Sequence, residues 1–415
     1  MKNFSGKYFE RVNNFEQCIF SHSSPDLAVI VVIPVFNEPN VDKTLLSLIL
    51  NSFSGFSTEI IFVVNSSENS PNSAKKENLK SIDKLNSDFQ ENKNEKLGLH
   101  VLHFQDLEEK KSGVGVARKI GMDEALRRFI SINNPQGIIV SLDADTIVEK
   151  NYLQSIFDTF NQNKNTQAAN IYFEHPTNGY EFPDEIYKAI TVYEIYLRYY
   201  IEALRYTGFP YAFHTIGSAF CCTAKIYAEQ GGMVTNQSGE DFYFLQKIIP
   251  VSNFKEISTT TVYPSPRITD RVIFGTGVAV NQIINEYGFD FPTYKFEAFL
   301  NLKLLFEQLE NLFESNIEIS NLNLHKSLET FLISNKFKEN LNEIKRNTKN
   351  YSNFKNRFFK WFNAFRIIKY LNFAHENYCQ KSSAIAEASE LLKLLNHKTP
   401  NETISLLNIY RKIQQ

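Results

Sequence analysis

Short apolar runs alternate with amphipathic segments over the first third of the chain. Three apolar runs rich in β-branched residues predict strands: residues 28–33 (AVIVVI), 59–64 (EIIFVV) and 137–142 (GIIVSL). Residues 97–104 (LGLHVLHF) alternate as a strand does and predict a further one. Apolar positions recur at helical spacing in residues 41–50 and 113–130, which predicts helices between these strands. The alternation predicts an α/β fold with a doubly wound, mainly parallel sheet that carries helices on both faces.

The pattern changes after residue 143. Residues 184–204 predict a long helix with a stripe of tyrosines, which is typical of a core or an interface and, as an alternative, of an aromatic wall for a sugar or lipid acceptor. From residue 281 onward the spacing is helical throughout. We therefore divide the chain into an N-terminal arm (1–26), an α/β domain (27–280) and a helical C-terminal region (281–415), in which we expect no strands.

Charge and cysteine content exclude several classes of protein. The chain has 44 Lys and Arg residues against 46 Asp and Glu, a net charge of −2, so a nucleic-acid partner is not expected. Its 4 cysteines form no C-x-x-C pair, which argues against a disulfide framework or a zinc site.

Hydropathy gives no sign of export or of a membrane span. The first residues lack the apolar core of a signal peptide, and the longest apolar stretch, residues 27–36, is far shorter than the roughly 20 residues that cross a bilayer. We expect a cytoplasmic protein. Residues 357–371 (RFFKWFNAFRIIKYL) are basic, aromatic and amphipathic, which raises the alternative of peripheral contact with the inner face of the membrane.

The segment SLDADT contains two carboxylates, Asp143 and Asp145, directly after a predicted strand. A D-x-D at the carboxyl end of a strand suits a divalent cation such as Mg²⁺ that also binds a diphosphate. An Asp-rich turn or helix cap is the alternative. The position after the fourth strand of an α/β series favours the metal.

A second acidic pair, Glu240 and Asp241, stands at the start of a predicted helix. Such a carboxylate can act as a general base toward an acceptor hydroxyl. Acidic residues are also favoured at a helix N-terminus by the helix dipole, so a capping role is the alternative.

Two further segments bear positive charge. Gly113 and Gly115 precede Arg118 in KSGVGVARKIG, which matches neither a Walker A motif nor a dinucleotide fingerprint. Either a helix N-terminus approaches a nucleotide there, or the glycines serve close packing. Arg267 and Arg271 belong to a segment with Pro and Gly hinges; a solvated loop is slightly favoured over a basic loop that closes on a diphosphate.

The order of these motifs along the chain resembles a family-two glycosyltransferase of the GT-A fold, a Rossmann-like architecture. The resemblance rests on VVIPVFNE, EIIFVVNSS, GVGVARKIG, LDADT, GSAF and GED, and it extends over about residues 27–280. It implies a glycosyltransferase of hexosyltransferase type that moves a sugar from a UDP- or GDP-linked donor to a hydroxyl acceptor, usually with inversion and with Mn²⁺ or Mg²⁺.

The resemblance also implies roles for individual residues. Pro34, Phe36 and Glu38 would line the nucleoside pocket, and Arg118 matches an Arg that the family follows with Asn, here Lys119. Asp143 and Asp145 match the D-x-D that faces ribose and metal. Asp241 matches the family's usual general base, with Glu240 beside it.

Two departures from the family pattern leave the nucleobase open. Asn65 stands where the family usually places a base-binding Asp, and the Q-x-x-R-W signature is missing. A nucleotide-sugar-binding protein without turnover therefore remains an alternative, and so does retention of configuration. A phosphohydrolase of the haloacid dehalogenase type is disfavoured, because Ile147 stands at the fifth position of its D-x-D-x-[TV] motif and the motif follows the fourth strand.

Overall fold

A computed structural model gives the fold and describes residues 4–12, 15–92, 94–235, 239–269, 275–315 and 318–415. The strands, in chain order, are β1 (Leu27–Val35), β2 (Ser57–Ser67), β3 (Leu97–Leu107), β4 (Ile138–Ser141), β5 (Thr146–Val148), β6 (Ala168–Phe173), β7 (Phe220–Thr223), β8 (Phe254–Pro264), β9 (Pro292–Thr293) and β10 (Ser382–Ser383).

The helices surround this set of strands and make up most of the C-terminal part of the chain. They are α1 (Tyr8–Arg11), α2 (Val41–Ile49), α3 (Asn72–Glu91), α4 (Val114–Ser131), α5 (Tyr152–Gln162), α6 (Asp184–Tyr206), α7 (Ala224–Glu229), α8 (Glu240–Ile248), α9 (Thr276–Asn285), α10 (Phe296–Glu307), α11 (Leu309–Glu314), α12 (Lys326–Ser334), α13 (Phe337–Arg346), α14 (Tyr351–Trp361), α15 (Ala364–Asn377), α16 (Ala384–Leu394) and α17 (Thr403–Ile413).

Within the described ranges, eight strands form one sheet in the order β3-β2-β1-β4-β7-β6-β8-β5. The pairs β1–β2, β1–β4, β2–β3 and β6–β8 are parallel. The pairs β4–β7, β6–β7 and β5–β8 are antiparallel. The predicted α/β fold with a mainly parallel sheet is confirmed. In the middle of the sheet, β7 runs antiparallel to both of its neighbours, β4 and β6.

Helices cover both faces of the sheet, as the strand sequences require. Leu45 of α2 and Ile156 of α5 pack on one face, while Ile120 and Leu126 of α4 pack on the other. Strand β1 is therefore buried on both faces, which is why its sequence is apolar at every position. Each fully buried aliphatic side chain contributes roughly 1.5–3 kcal/mol relative to an exposed one.

The C-terminal region is helical as predicted, with one exception. Pro292–Thr293 and Ser382–Ser383 pair as two antiparallel strands, so the expectation of no strands is wrong there. Two residues on each side are too short for alternation to show in the sequence. The predicted boundary at residue 280 falls inside α9, and the division into domains stays a prediction.

The amphipathic segment 357–371 spends its apolar side on internal packing. Phe358, Phe362, Ile367 and Leu371 are fully buried in the core of the helical region. Internal packing therefore accounts for the amphipathic pattern that suggested membrane contact. Contact with a membrane stays a prediction, and these buried side chains do not contribute to it. No helix in the described part of the chain is both long and apolar enough to cross a membrane.

The N-terminal arm is attached to α4 by a buried polar cluster. The Tyr8 hydroxyl donates to Asp123 at 2.6 Å, and Lys119 donates to Asp123 at 2.7 Å and to Tyr8 at 3.1 Å. Gly232 lies against this tyrosine with φ +69°, and a Cβ there would lie 2.0 Å from the Tyr8 hydroxyl oxygen. The arm is thus packed on the helix that carries Arg118.

A second buried cluster joins α6 to α17. Glu194 accepts from Arg198 at 2.8 Å, from Arg411 at 2.8 and 2.9 Å, and lies 3.0 Å from His175 Nδ1. Burial alone would raise the pKa of Glu194, but Arg198, His175 and Arg411 hold it well below its usual range. His214, bonded to Gln414 at 2.9 Å, belongs to the same structural network.

Candidate donor and catalytic site

The candidate site lies at the carboxyl ends of β1, β2 and β4. These strands are parallel, so their carboxyl ends share one edge of the sheet, where ligands of α/β folds bind. Glu38 follows β1, Asn65 lies near the end of β2, and Asp143 follows β4.

Arg118 is the centre of the site. This buried guanidinium extends from α4 and donates to Asp143 Oδ1 at 2.9 Å, to Glu240 Oε1 at 3.2 Å and to the Gly217 carbonyl at 3.0 Å. It also donates to the Ser141 hydroxyl. One side chain thus joins the end of β4, the loop before β7 and the start of α8, and it brings together three motifs that lie far apart in the sequence.

The electrostatics of this cluster set the charge state of its members. Burial works against the Arg118 cation, but Asp143, Glu240 and Asp241 outweigh it and raise the Arg118 pKa. Burial and then the charge of Glu240 raise the pKa of Asp241 to about 6, although Arg118 opposes the shift. Asp241 is therefore a carboxylate whose proton affinity lies near neutral pH, as a general base requires.

Gly217 provides the space that lets these groups meet. A Cβ at this position would lie 2.9 Å from Arg118 Nη2 and 3.1 Å from Asp241 Oδ2. The close approach places the half-buried Asp241 carboxylate beside the same guanidinium as Asp143 and Glu240. The glycine of the GSAF segment is thus required by contacts from two distant helices, α4 and α8.

A second cluster joins Glu38 to Asp145 through Arg267. The guanidinium donates from Nη1 to Glu38 Oε1 at 2.9 Å, pairs with Glu38 Oε2 as well, and lies 3.0 Å from Asp145 Oδ2. Burial lowers and the two carboxylates raise the Arg267 pKa, and the net shift is upward. The preference for a solvated loop at Arg267 is therefore wrong. Arg271 lies outside the described residues.

Glu38 is almost fully enclosed in this cluster, with 1% of its surface exposed. Its Oε1 also accepts from the Asn40 backbone N–H at 3.1 Å, and its carbonyl accepts from the Ser81 hydroxyl at 2.9 Å. The loop after β1 is thus held in one conformation by polar contacts to its own backbone and to α3.

Asn65 connects the end of β2 to the start of α4. Its side-chain amide donates to the Gly113 carbonyl at 3.0 Å, and its own carbonyl accepts from Asn78 at 3.2 Å. Gly113 precedes α4 with φ +98°, a conformation that favours glycine. The Asn65 side chain therefore has a structural partner as well as its predicted place beside the nucleobase.

Pro34 and Phe36 flank the end of β1. Pro34 is buried and pairs with Val63 of β2, but it lies beyond the last β1–β4 pair, Val32–Ser141. Its missing N–H is tolerated because β4 has already separated from β1 at this point. Phe36 is half-buried at the mouth of the site.

The carboxylates of the D-x-D segment suit a metal that arrives with its substrate. The side chains of Asp143 and Asp145 are 38% and 27% exposed. Within the described ranges, no group of three or more His, Cys, Asp or Glu side chains is placed to hold a metal ion. The pair therefore fits Mg²⁺ or Mn²⁺ only where substrate phosphates supply further ligands, which is the usual mode for Mg²⁺.

Sequence reasoning singled out Arg118, Asp143, Glu240 and Asp241 separately, and the structure brings them together. It missed Ser141 as a partner of Arg118, the steric role of Gly217 and the ion pairs of Arg267. Gly217 had a signal, because it stands in one of the motifs that carry the resemblance. The roles of the predicted site residues stay predictions.

Residues 30–221 match the family described as Glycosyl transferase family 2. Residues 30–221 therefore carry a family 2 glycosyltransferase domain, as predicted. The matched range includes Arg118, Asp143 and Asp145, whereas Glu240 and Asp241 lie beyond it.

Solved structures of low sequence identity also resemble the chain. S. aureus TarS 1–349 in complex with UDP-GlcNAc is 13% identical, with a TM-score of 0.40, and the match covers 93% of this chain and 88% of that one. Mannosyltransferase PcManGT from Pyrobaculum calidifontis in complex with GDP-Man and Mn²⁺ is 12% identical, with a TM-score of 0.36, covering 99% and 92%. No curated protein matched the sequence.

Proposed function

We propose that this protein transfers a hexose from a nucleoside-diphosphate sugar to an acceptor hydroxyl, with inversion at the anomeric carbon. The observation that carries the proposal is the Arg118 cluster. One buried guanidinium holds Asp143, at the end of β4, and Glu240, at the start of α8, beside Asp241. Asp143, the carboxylate proposed for donor binding, lies within the range that matches the family 2 model, and the candidate base Asp241 is held close to it across Arg118.

The donor would lie along the carboxyl edge of the sheet. The nucleoside occupies the mouth between β1 and β2, near Pro34, Phe36 and Glu38, with Asn65 as a neutral partner for the base. Asp143 is directed to the ribose by Arg118. A neutral Asn donates and accepts hydrogen bonds, so it is compatible with either uracil or guanine.

The diphosphate would lie beside Asp145 and Arg267. A Mg²⁺ or Mn²⁺ ion held by Asp145 and Asp143 would supply charge neutralisation to the departing diphosphate. Arg267 orients Asp145 at 3.0 Å and places a permanent positive charge at the same edge.

Asp241 would act on the acceptor. Its carboxylate takes the proton of the acceptor hydroxyl while that oxygen forms a bond to the anomeric carbon. The bond from that carbon to the diphosphate oxygen breaks on the opposite face, and its electrons leave with the nucleoside diphosphate. Because its pKa is about 6, Asp241 is mostly ionised at pH 7 and accepts the proton without a further activating group.

A thermal-shift screen tests donor binding. The ligands are UDP, GDP, UDP-GlcNAc and GDP-mannose, each with and without Mn²⁺. A ligand at 100 times its dissociation constant stabilises the protein by about 2.7 kcal/mol, which is readily measured. A protein that none of these ligands stabilises, in either condition, would contradict the proposed donor class.

Asp241→Asn tests the catalytic step with the donor identified in that screen. The substitution keeps shape but removes basicity, so kcat is expected to fall by about 10²–10⁴ while donor affinity stays constant. Asp83→Asn, at an exposed carboxylate on α3, is the matched control and should retain full activity.

Two other outcomes would change the assignment of Asp241. A parallel loss of donor affinity would make Asp241 a binding residue, and full activity would place the base elsewhere or indicate retention. A wild-type protein that binds the nucleotide sugar but neither transfers nor hydrolyses it would be a binding protein without turnover.

A further inference from the structure

One arginine joins a residue of the predicted nucleoside pocket to a predicted metal ligand. Arg267 donates from Nη1 to Glu38 Oε1 at 2.9 Å, while its Nη2 pairs with Glu38 Oε2 and lies 3.0 Å from Asp145 Oδ2. A single nitrogen thus lies between two carboxylates with different predicted ligands, the nucleoside for Glu38 and the metal for Asp145. We call these three residues the Arg267 triad.

The register of the sheet places Arg267 at this point. Strands β5 and β8 pair antiparallel, with Thr146 opposite Pro264. Asp145 directly precedes Thr146, and Arg267 is the third residue after Pro264, so both lie at the same end of the strand pair. Close packing holds the backbone there, because a Cβ at Gly277 of α9 would lie 2.8 Å from the Arg267 carbonyl oxygen. The side chain is therefore the part of Arg267 that can change partners.

The Arg267 triad is more open than the ion pair of Arg128 with Glu59. Arg128 pairs through both Nε and Nη2, and the two side chains are 4% and 9% exposed. The side chains of Arg267 and Asp145 are 19% and 27% exposed, and the shielded Arg267 Nε has no hydrogen-bond partner in the described part of the chain. The triad is thus accessible from the Asp145 side and leaves one guanidinium donor unused.

A divalent cation and Arg267 compete for the Asp145 carboxylate. Mg²⁺ binds oxygen at 2.0–2.1 Å, so an ion on Oδ2 would lie within about 5 Å of the Arg267 nitrogen. Positive charges at that separation repel each other. A diphosphate resolves the conflict, because its oxygens are ligands for the metal and strong acceptors for a guanidinium.

We propose that Arg267 and the divalent cation are alternative partners of Asp145, and that a bound diphosphate draws Arg267 away so that the metal enters. The inference rests on the proposed function, which supplies the metal and the diphosphate. The same movement releases the Glu38 carboxylate toward the nucleoside. Metal and nucleotide therefore bind cooperatively, each raising the affinity of the other. Arg267 thus makes metal loading depend on the arrival of the donor.

A Mn²⁺ titration followed by electron paramagnetic resonance tests the inference with the full-length protein in the absence of nucleotide. Arg267→Gln should bind Mn²⁺ more tightly than wild type by about tenfold or more, because the competing charge is gone. Adding Asp145→Asn to this variant should abolish the gain in affinity. Arg357→Gln, at an exposed arginine of α14, is the matched control and should bind Mn²⁺ like wild type.

A second variant allows for the possibility that Arg267→Gln does not fold. Removal of the arginine alone leaves the buried Glu38 carboxylate without its cation, which destabilises the protein. Arg267→Gln combined with Glu38→Gln replaces the ion pair by two amides and still frees Asp145. This double variant should show the same gain in Mn²⁺ affinity, with a circular dichroism spectrum like that of wild type.

Equal Mn²⁺ affinity in wild type and in the folded variants, including no detectable binding in any of them, would overturn the inference. A gain that persists after Asp145→Asn would also overturn it. Thermal shifts with UDP and GDP separate the two proposals. A gain in Mn²⁺ affinity without any nucleotide binding refutes only the proposed donor, whereas nucleotide binding without a gain in the variants refutes only this inference.

Discussion

The α/β part and the helical part of this protein differ in what they bury. The sheet region encloses charged side chains such as Glu38, Arg118, Glu194 and Glu240. Beyond Gly277, the buried polar residues in the described part of the chain are Thr293, Asn301 and Ser327, and none of them is charged. A buried ion costs several kcal/mol unless it is well paired. The difference teaches that, among the described residues, buried charge is confined to the sheet region, which also carries the candidate site.

Within the sheet region, buried charge occurs in two arrangements. Arg128 with Glu59, and Lys119 with Asp123, are balanced pairs that tie a helix to a strand or to the arm. Arg118 instead faces the three carboxylates of Asp143, Glu240 and Asp241. The surplus of negative charge helps to raise the Asp241 pKa, so the imbalance singles out the end of the sheet that carries the candidate site.

Arg118→Met should have the largest effect, because it leaves buried carboxylates without their cation. We expect the free energy of unfolding to fall by about 3–5 kcal/mol, measured by urea denaturation. The control in the helical region is Arg366→Met, since Arg366 is half-buried and stacks on Trp361 at 4.2 Å. That variant should lose about 1 kcal/mol or less. Equal losses in the two variants would erase the contrast between the regions.

Phe358→Leu should have a moderate effect confined to the helical core. Phe358 is fully buried, so a smaller apolar side chain leaves a small cavity and should cost about 1–2 kcal/mol in unfolding free energy. Isothermal titration with the identified nucleotide should show unchanged affinity. A change in affinity would mean that the helical core transmits strain to the donor site.

Asp145→Asn should act on binding rather than on stability. The side chain is 27% exposed, so the fold should persist. The Mn²⁺-dependent part of nucleotide affinity should fall at least tenfold, about 1.4 kcal/mol, because an amide is a weak ligand for a hard cation. Asp83→Asn is again the control. Unchanged Mn²⁺-dependent affinity in the folded variant would remove Asp145 from the metal assignment.

The smallest expected effect is a pH-dependent change in the free energy of unfolding on replacing Asp241 by Asn. Its pKa is about 6 in the folded protein against 3.8 as the ordinary value, so the folded state binds this proton more tightly. Asp241 therefore costs stability as pH rises from 4 through 6. The full shift corresponds to about 3 kcal/mol, and solvent screening of this half-buried group reduces the net effect. Asp241→Asn should therefore be more stable than wild type above pH 6 by on the order of 1 kcal/mol, and equal to it below pH 4.

Thermal unfolding across this pH range measures the difference. In wild type, kcat/KM should rise with pH through about 6, because the base must be ionised. A variant that is destabilised above pH 6, or a rate that falls there, would contradict the environment assigned to Asp241.

The sequence predicted those features that local patterns determine. The first four strands and the helices between them follow from apolar spacing, and the motifs around Arg118, Asp143 and Asp241 follow from strand and helix ends. The ion pair of Arg267 with Glu38 joins residues 229 positions apart, and no periodicity links them. The requirement for glycine at position 217 likewise arises from side chains of α4 and α8 that only the folded chain brings together.

The ion pair between Glu194 and Arg411 forms late in the synthesis of the chain. Arg198 is four residues from Glu194 and is available at once, but Arg411 follows 217 residues later. At typical translation rates this interval is roughly 10–40 s. The Arg118 cluster is complete in sequence by Asp241, long before α17 emerges. During synthesis all residues of the Arg118 cluster are therefore present while Glu194 still lacks its second arginine, and the translation rate sets the length of that interval.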